Sequence, residues 1–108
     1  MAEQFTYLTE ENFDEGIRSG VTLVDFYADW CGPCRMLTPV LEELVADLSG
    51  SATIAKIDID RAQRVASTFQ VTSIPTLILF KEGKEIGRLV GLRDKDTIKD
   101  FILAGSHK

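Results

Sequence analysis

Both cysteines of the chain lie in the stretch ADWCGPCRM, as Cys31 and Cys34 separated by Gly32 and Pro33 and preceded by Trp30. Two thiols a helical turn apart can do chemistry that neither can do alone. If a helix begins at Cys31, its first amides have no intrahelical partner and its dipole favours negative charge by about 0.3–1 kcal/mol, more when partly buried. That stabilises the Cys31 thiolate, the form that acts as a nucleophile. Cys34, one turn deeper, could then attack any disulfide that Cys31 makes with another molecule and close an internal bond, which is dithiol–disulfide exchange. Gly32 would let the backbone turn tightly. Pro33 suits a first helical turn, where its missing N–H is no loss.

Three plainer readings compete. A zinc site needs about four ligands, and beyond the two thiols the chain offers only His107 in a polar tail. Cysteines also serve as small core residues. A purely structural disulfide between positions so close would remove little entropy from the unfolded chain.

One more residue stands out. Asp25 interrupts the apolar run VTLVDFYA, where a buried, ionised carboxylate without partners would cost several kcal/mol. Alternation puts Leu23, Asp25 and Tyr27 on one face of a strand, and Asp25 lies on the segment that leads into the cysteines. Desolvation would raise its pKa, and the expectation is that it takes the Cys34 proton during resolution, directly or through one water. The competing reading is a carboxylate satisfied by hydrogen bonds or paired with Lys56.

The surrounding pattern indicates what positions these groups. A short strand around Phe5–Leu8 leads to Thr9 and Asn12, spaced as a helix start, with Phe13 and Ile17 on one face and Gly20 as the stop. Val21–Ala28 reads as a central strand covered on both faces. Leu37, Val40, Leu41, Leu44, Val45 and Leu48 recur at helical spacing up to Ser49 and Gly50, and Pro39 predicts a kink. Thr53–Ile59 is a second buried strand, followed by a helix near Arg61–Phe69. Thr76–Phe80 and Glu85–Val90 are joined by a short glycine-containing turn, as in a hairpin. Asp94–Leu103 forms a last helix with Ile98, Phe101 and Ile102 inward, and residues from Gly105 on read as a frayed tail. The order is βαβαβ followed by ββα. It predicts an α/β fold: a mixed sheet with parallel central strands and an antiparallel edge, helices on both faces.

Composition narrows the partners. The 108 residues suit one domain, 44% of them hydrophobic and 27% charged, with a net charge of −5. No basic run exists to neutralise phosphates, so nucleic acid and anionic membrane are disfavoured. The N-terminal segment lacks a basic, apolar leader, and no apolar run approaches the roughly 20 residues that span a bilayer. A cytoplasmic, unexported protein is the expectation.

The segments VDFYADWCGPCRML, KIDID, SIPTLILF and KEGKEIGRLVG, in this order and spacing, resemble the thioredoxin family over essentially the whole chain, 1–108, as one domain. The resemblance implies a thioredoxin fold, a central five-stranded mixed sheet flanked by four helices. It implies that Cys31 attacks, Cys34 resolves and Asp25 is the buried carboxylate, with Lys56 beside it. It also implies a cis Ile74–Pro75 bond facing the disulfide, and a substrate groove formed by Trp30, Ile74, Pro75 and Gly91, where the backbone of Ile74 pairs with an extended substrate. Two positions depart from the family pattern: Tyr27 stands where many members carry tryptophan, and Arg35 where lysine is common.

The implied activity is general protein-disulfide reduction. Gly-Pro places no extra cation between the cysteines to over-stabilise the reduced thiolate, which favours a reductase over an oxidising or isomerising member of the same fold. A binding module that uses the groove without turnover is the remaining alternative. No cofactor is expected beyond the intrinsic disulfide. The chain has no nucleotide-binding glycine motif, so NADPH and flavin belong to the partner, a thioredoxin reductase. Implied clients are ribonucleotide reductase, peroxiredoxins and methionine sulfoxide reductases, and a monomer is expected.

Overall fold

A computed structural model describes residues 5–107. Met1–Gln4, part of the segment read for a leader, and Lys108 of the tail lie outside the described residues. The strands are β1 (Thr6–Leu8), β2 (Val21–Tyr27), β3 (Thr53–Asp58), β4 (Thr76–Lys81) and β5 (Lys84–Val90). The helices are α1 (Phe13–Gly16), α2 (Gly32–Asp47), α3 (Gln63–Thr68) and α4 (Lys95–Ser106). One sheet takes the order β1-β3-β2-β4-β5. β1, β3 and β2 run parallel, and β4 and β5 are antiparallel.

β2 is central because both of its faces are apolar and both are covered. On one face Leu23 packs with Leu37, Leu41 and Leu44 of α2 and Ile98 and Ile102 of α4. On the other, Val24 and Phe26 join Phe13 of α1, Ile57 and Phe80. There the Phe13 ring lies 5.7 Å from that of Phe80, edge-on, and 5.4 Å from that of Phe69.

The hairpin turn carries positive φ at both Glu82 (52°) and Gly83 (84°), which matches the right-handed twist of β4 and β5. It is tied back to the start of β2, where the Glu82 amide donates to the Gly20 carbonyl and the Gly20 amide to the Glu82 carboxylate, both at 2.9 Å.

Two expectations are corrected. α1 stops at Gly16 rather than Gly20, because the Ile17 and Arg18 amides turn back onto Phe13 and Glu15 and the chain then unwinds toward β2. Thr9 and Asn12 do exchange hydrogen bonds, each amide donating to the other's side chain at 2.7 and 3.2 Å, but they hold the turn before the helix. The tail is not frayed at Gly105: α4 continues to Ser106, and Gly105 is buried. A Cβ there would collide with Leu79 and Ile86, so the absence of a side chain lets the last turn sit directly on the sheet. α2 continues through Pro39 to Asp47.

Candidate active site

α2 starts where the carboxyl end of β2 releases the chain. Cys31 is its N-cap, in extended conformation, and Pro33 occupies the first turn, as its fixed φ favours. The Cys34 amide, one of those left unpaired by helix geometry, donates to Cys31 Sγ at 3.2 Å. The two sulfurs are disulfide-bonded, with their Cα atoms 5.3 Å apart. Of the pair, Cys31 keeps the larger exposure, 5% against 2%. Gly32 does not match the tight-turn expectation. A Cβ there would meet nothing within 4 Å, so neither packing nor backbone demands glycine, and the surface beside the sulfurs stays open.

The loop before β4 approaches from the other side. The Ile74–Pro75 peptide is cis, as the resemblance implied. The Ile74 carbonyl oxygen lies 4.0 Å from Cys31 Sγ. Gly91 has φ +94°, a conformation that favours glycine, and its amide donates to the Pro75 carbonyl at 2.8 Å. Trp30 is 67% exposed, yet its indole N–H donates to the Asp60 carboxylate at 2.9 Å. The ring is therefore held while its face remains open. Asp60 escaped the sequence reading, although its place just past β3, the parallel neighbour of β2, could have indicated it.

Beneath the disulfide, register decides the electrostatics. Asp25 of β2 is paired across the sheet with Lys56 of β3, which puts both on the face covered by α2. Asp25 is fully buried, and the Lys56 ammonium stands 3.7 Å from Oδ2. That separation makes an ion pair without a hydrogen bond; among the described residues no group hydrogen-bonds either Asp25 oxygen. Burial pushes the Asp25 pKa up to about 7, with the Lys56 charge opposing the rise. The two sequence readings of Asp25, raised pKa and Lys56 partner, therefore hold together.

Lys56 is itself buried. Its ammonium lies 4.7 Å from the centre of the Tyr27 ring and 5.2 Å from that of Phe5, and it donates to Thr38 Oγ1 of α2 at 3.0 Å. Thr38 had no signal in the sequence beyond its place one turn after Cys34. Burial, then the acids Asp58 and Asp29, raises the pKa of Tyr27, so its ring faces Lys56 as a neutral phenol. A cleft of about 170 Å³ opens here, lined by Cys34, Thr38, Lys56, Tyr27 and Asp29. The larger cleft, about 480 Å³, lies on the Tyr7 side of Lys56 and does not include the sulfurs.

The family model described as Thioredoxin matches residues 4–104. The chain belongs to the thioredoxin family. It is 57% identical to a thioredoxin of Chlamydia pneumoniae over 95 residues, 88% of this chain and 92% of that one. It is 50% identical to a thioredoxin of Staphylococcus saprophyticus over 95 residues, 88% of this chain and 91% of that one. Among solved structures, a mutant thioredoxin from Halobacterium salinarum NRC-1 superposes with a TM-score of 0.86 at 41% identity, covering 98% of this chain and 96% of that one. As a thioredoxin-family member with its Cys31–Cys34 pair, the chain is a protein-disulfide oxidoreductase that acts as a disulfide reductase. Its partners are a thioredoxin reductase and disulfide-containing client proteins.

The residues also bear on the alternatives. No group of three or more His, Cys, Asp or Glu among the described residues could hold a metal ion. No helix among them is long and apolar enough to cross a membrane.

Proposed function

We infer that Cys31, as thiolate, attacks one sulfur of a client disulfide, forming a mixed disulfide and expelling the client's other sulfur as thiolate. Cys34 then gives its proton to Asp25, directly or through one water, and attacks Cys31 Sγ. The Cys31–Cys34 disulfide forms, and the client leaves as a dithiol with two electrons and, after proton uptake, two protons gained. The observation that carries this reading is the Cys34 amide hydrogen bond to Cys31 Sγ at the opening of α2, an arrangement that favours negative charge on the outer sulfur.

The groove of Trp30, Ile74, Pro75 and Gly91 receives an extended client segment beside the disulfide, with Gly32 and Pro33 keeping the approach open and Lys56 setting the charge beneath it. The proximity of the Ile74 carbonyl to Cys31 Sγ supports this. The chain acts as a single-domain monomer in the cytoplasm, needs no bound cofactor and takes electrons from a flavin-containing, NADPH-dependent reductase. Its clients are enzymes that form a disulfide each turnover, such as ribonucleotide reductase, peroxiredoxins and methionine sulfoxide reductases.

Insulin reduction coupled to a thioredoxin reductase and NADPH tests the reading. The parent chain should turn over continuously, Cys31→Ser should be inactive, and Cys34→Ser should accumulate a mixed disulfide with its client. Mixed disulfides that build up through position 34 in Cys31→Ser instead would reverse the assignment.

A further inference from the structure

The Lys56 ammonium sits between two acceptors and hydrogen-bonds only one of them. Its neighbour in register is Asp25, at 3.7 Å, whereas its hydrogen bond goes to Thr38 Oγ1 at 3.0 Å. Thr38 reaches this position from α2, one turn after Cys34, and its hydroxyl proton is directed to the Cys34 carbonyl at 3.3 Å. A hydroxyl has one proton to give, so toward Lys56 it can only accept, as an ammonium requires. The rings of Tyr27 and Phe5 flank the ammonium but offer no lone pair on their faces.

We propose that Thr38 is a positioning residue: its hydroxyl accepts one of the three N–H groups of the Lys56 ammonium and so anchors it short of hydrogen-bond reach of Asp25, fixing the distance between the two charges and thereby the proton affinity of Asp25. The catalytic meaning of this rests on Asp25 acting as the proton acceptor; the electrostatics does not. Without that anchor the ammonium can close on the Asp25 carboxylate, whose oxygens accept no hydrogen bond from the described residues. Closing that gap turns an ion pair into a charge-assisted hydrogen bond, which favours the ionised carboxylate.

The other groups facing this pair leave the direction unchanged. On β4 the residue opposite Asp25 is Leu77, which carries no charge. From α2 and the end of β2, Cys34, Arg35, Tyr27 and Asp29 line the cleft with Lys56, and Asp58 faces Lys56 from the larger cleft. The Arg35 guanidinium donates to the Asp29 carbonyl at 2.8 Å, so that cation is held at the rim.

The test titrates Asp25 by carboxyl-carbon NMR in the oxidised protein, where neither cysteine titrates. Thr38→Val replaces the hydroxyl with a methyl group of similar size and should lower the Asp25 midpoint by about one pH unit. Thr38→Ser should keep the parent midpoint, and in a Lys56→Met background Thr38→Val should produce no shift. If Thr38→Val folds poorly, Thr38→Ala carries the same expectation. An unchanged or raised midpoint in these variants, or an equal fall without Lys56, overturns the proposal. The pH profile of mixed-disulfide resolution, measured on the same variants, tests Asp25 separately. A midpoint that falls while the profile stays fixed upholds the positioning role of Thr38 and refutes proton acceptance by Asp25.

Discussion

Asp25 lowers the stability of the fold at every pH above the ordinary carboxylate range. Its pKa is about 7 in the folded chain and near 3.8 in the unfolded one, so between those values the folded state keeps a proton that the unfolded state has released. Stability therefore falls as pH rises through this window and stays low above it. Asp25→Asn removes the titration, and its stability relative to the parent, followed by urea unfolding, should improve from pH 4 to pH 8 by on the order of 3 kcal/mol. A difference independent of pH would show that Asp25 ionises in the ordinary carboxylate range. Asp25 was legible because it is the single charge in an apolar strand. Lys56 was legible as a possible partner for that charge, whereas the Ile74–Pro75 geometry was legible only through the family resemblance, since by itself Pro75 reads as a strand-start proline. Thr38 and Asp60 were not read from the sequence: they act on Lys56 and Trp30 across 18 and 30 positions, Thr38 through the packing of α2 on the sheet and Asp60 through the pairing of β2 with β3.

Among the elements, α3 depends on help from outside itself. Its N-cap is Ala62, which has no side chain to offer the opening amides. Glu10, in the turn between β1 and α1, supplies the acceptor: one carboxylate oxygen takes hydrogen bonds from the Arg64 and Val65 amides. Glu10→Ala should lower stability by about 1–2 kcal/mol and speed hydrogen exchange at both amides, measurable by NMR. Exchange left at the parent rate would mean that solvent caps the helix equally well. By contrast α4 brings its own cap, with Asp94 accepting from the Thr97 amide at 2.9 Å. The strands and the two longer helices followed hydrophobic period closely. The ends of α1 and α4 did not, because Gly16 and Gly105 are chosen by what lies against them, Leu8 for the first and Leu79 with Ile86 for the second. A pattern of polarity cannot show such close approaches.

At the scale of the whole molecule, β2 separates two apolar layers and contributes to both, so neither layer can loosen alone. Phe13→Ala should cost about 3–5 kcal/mol from one side and Leu41→Ala about 2–5 kcal/mol from the other. In each variant, circular dichroism and Trp30 fluorescence should report one shared transition. Separate transitions would mean that the layers unfold independently.

The borders of the sheet have a consequence of their own. One outer strand, β1, has only three residues; the other, β5, carries Lys84 together with a Glu85–Arg88 ion pair and meets β4 through a break in register. Short, charged or irregular margins are poor templates for stacking further chains. Crowded copies of this molecule thus have little opportunity to zip together into fibrils.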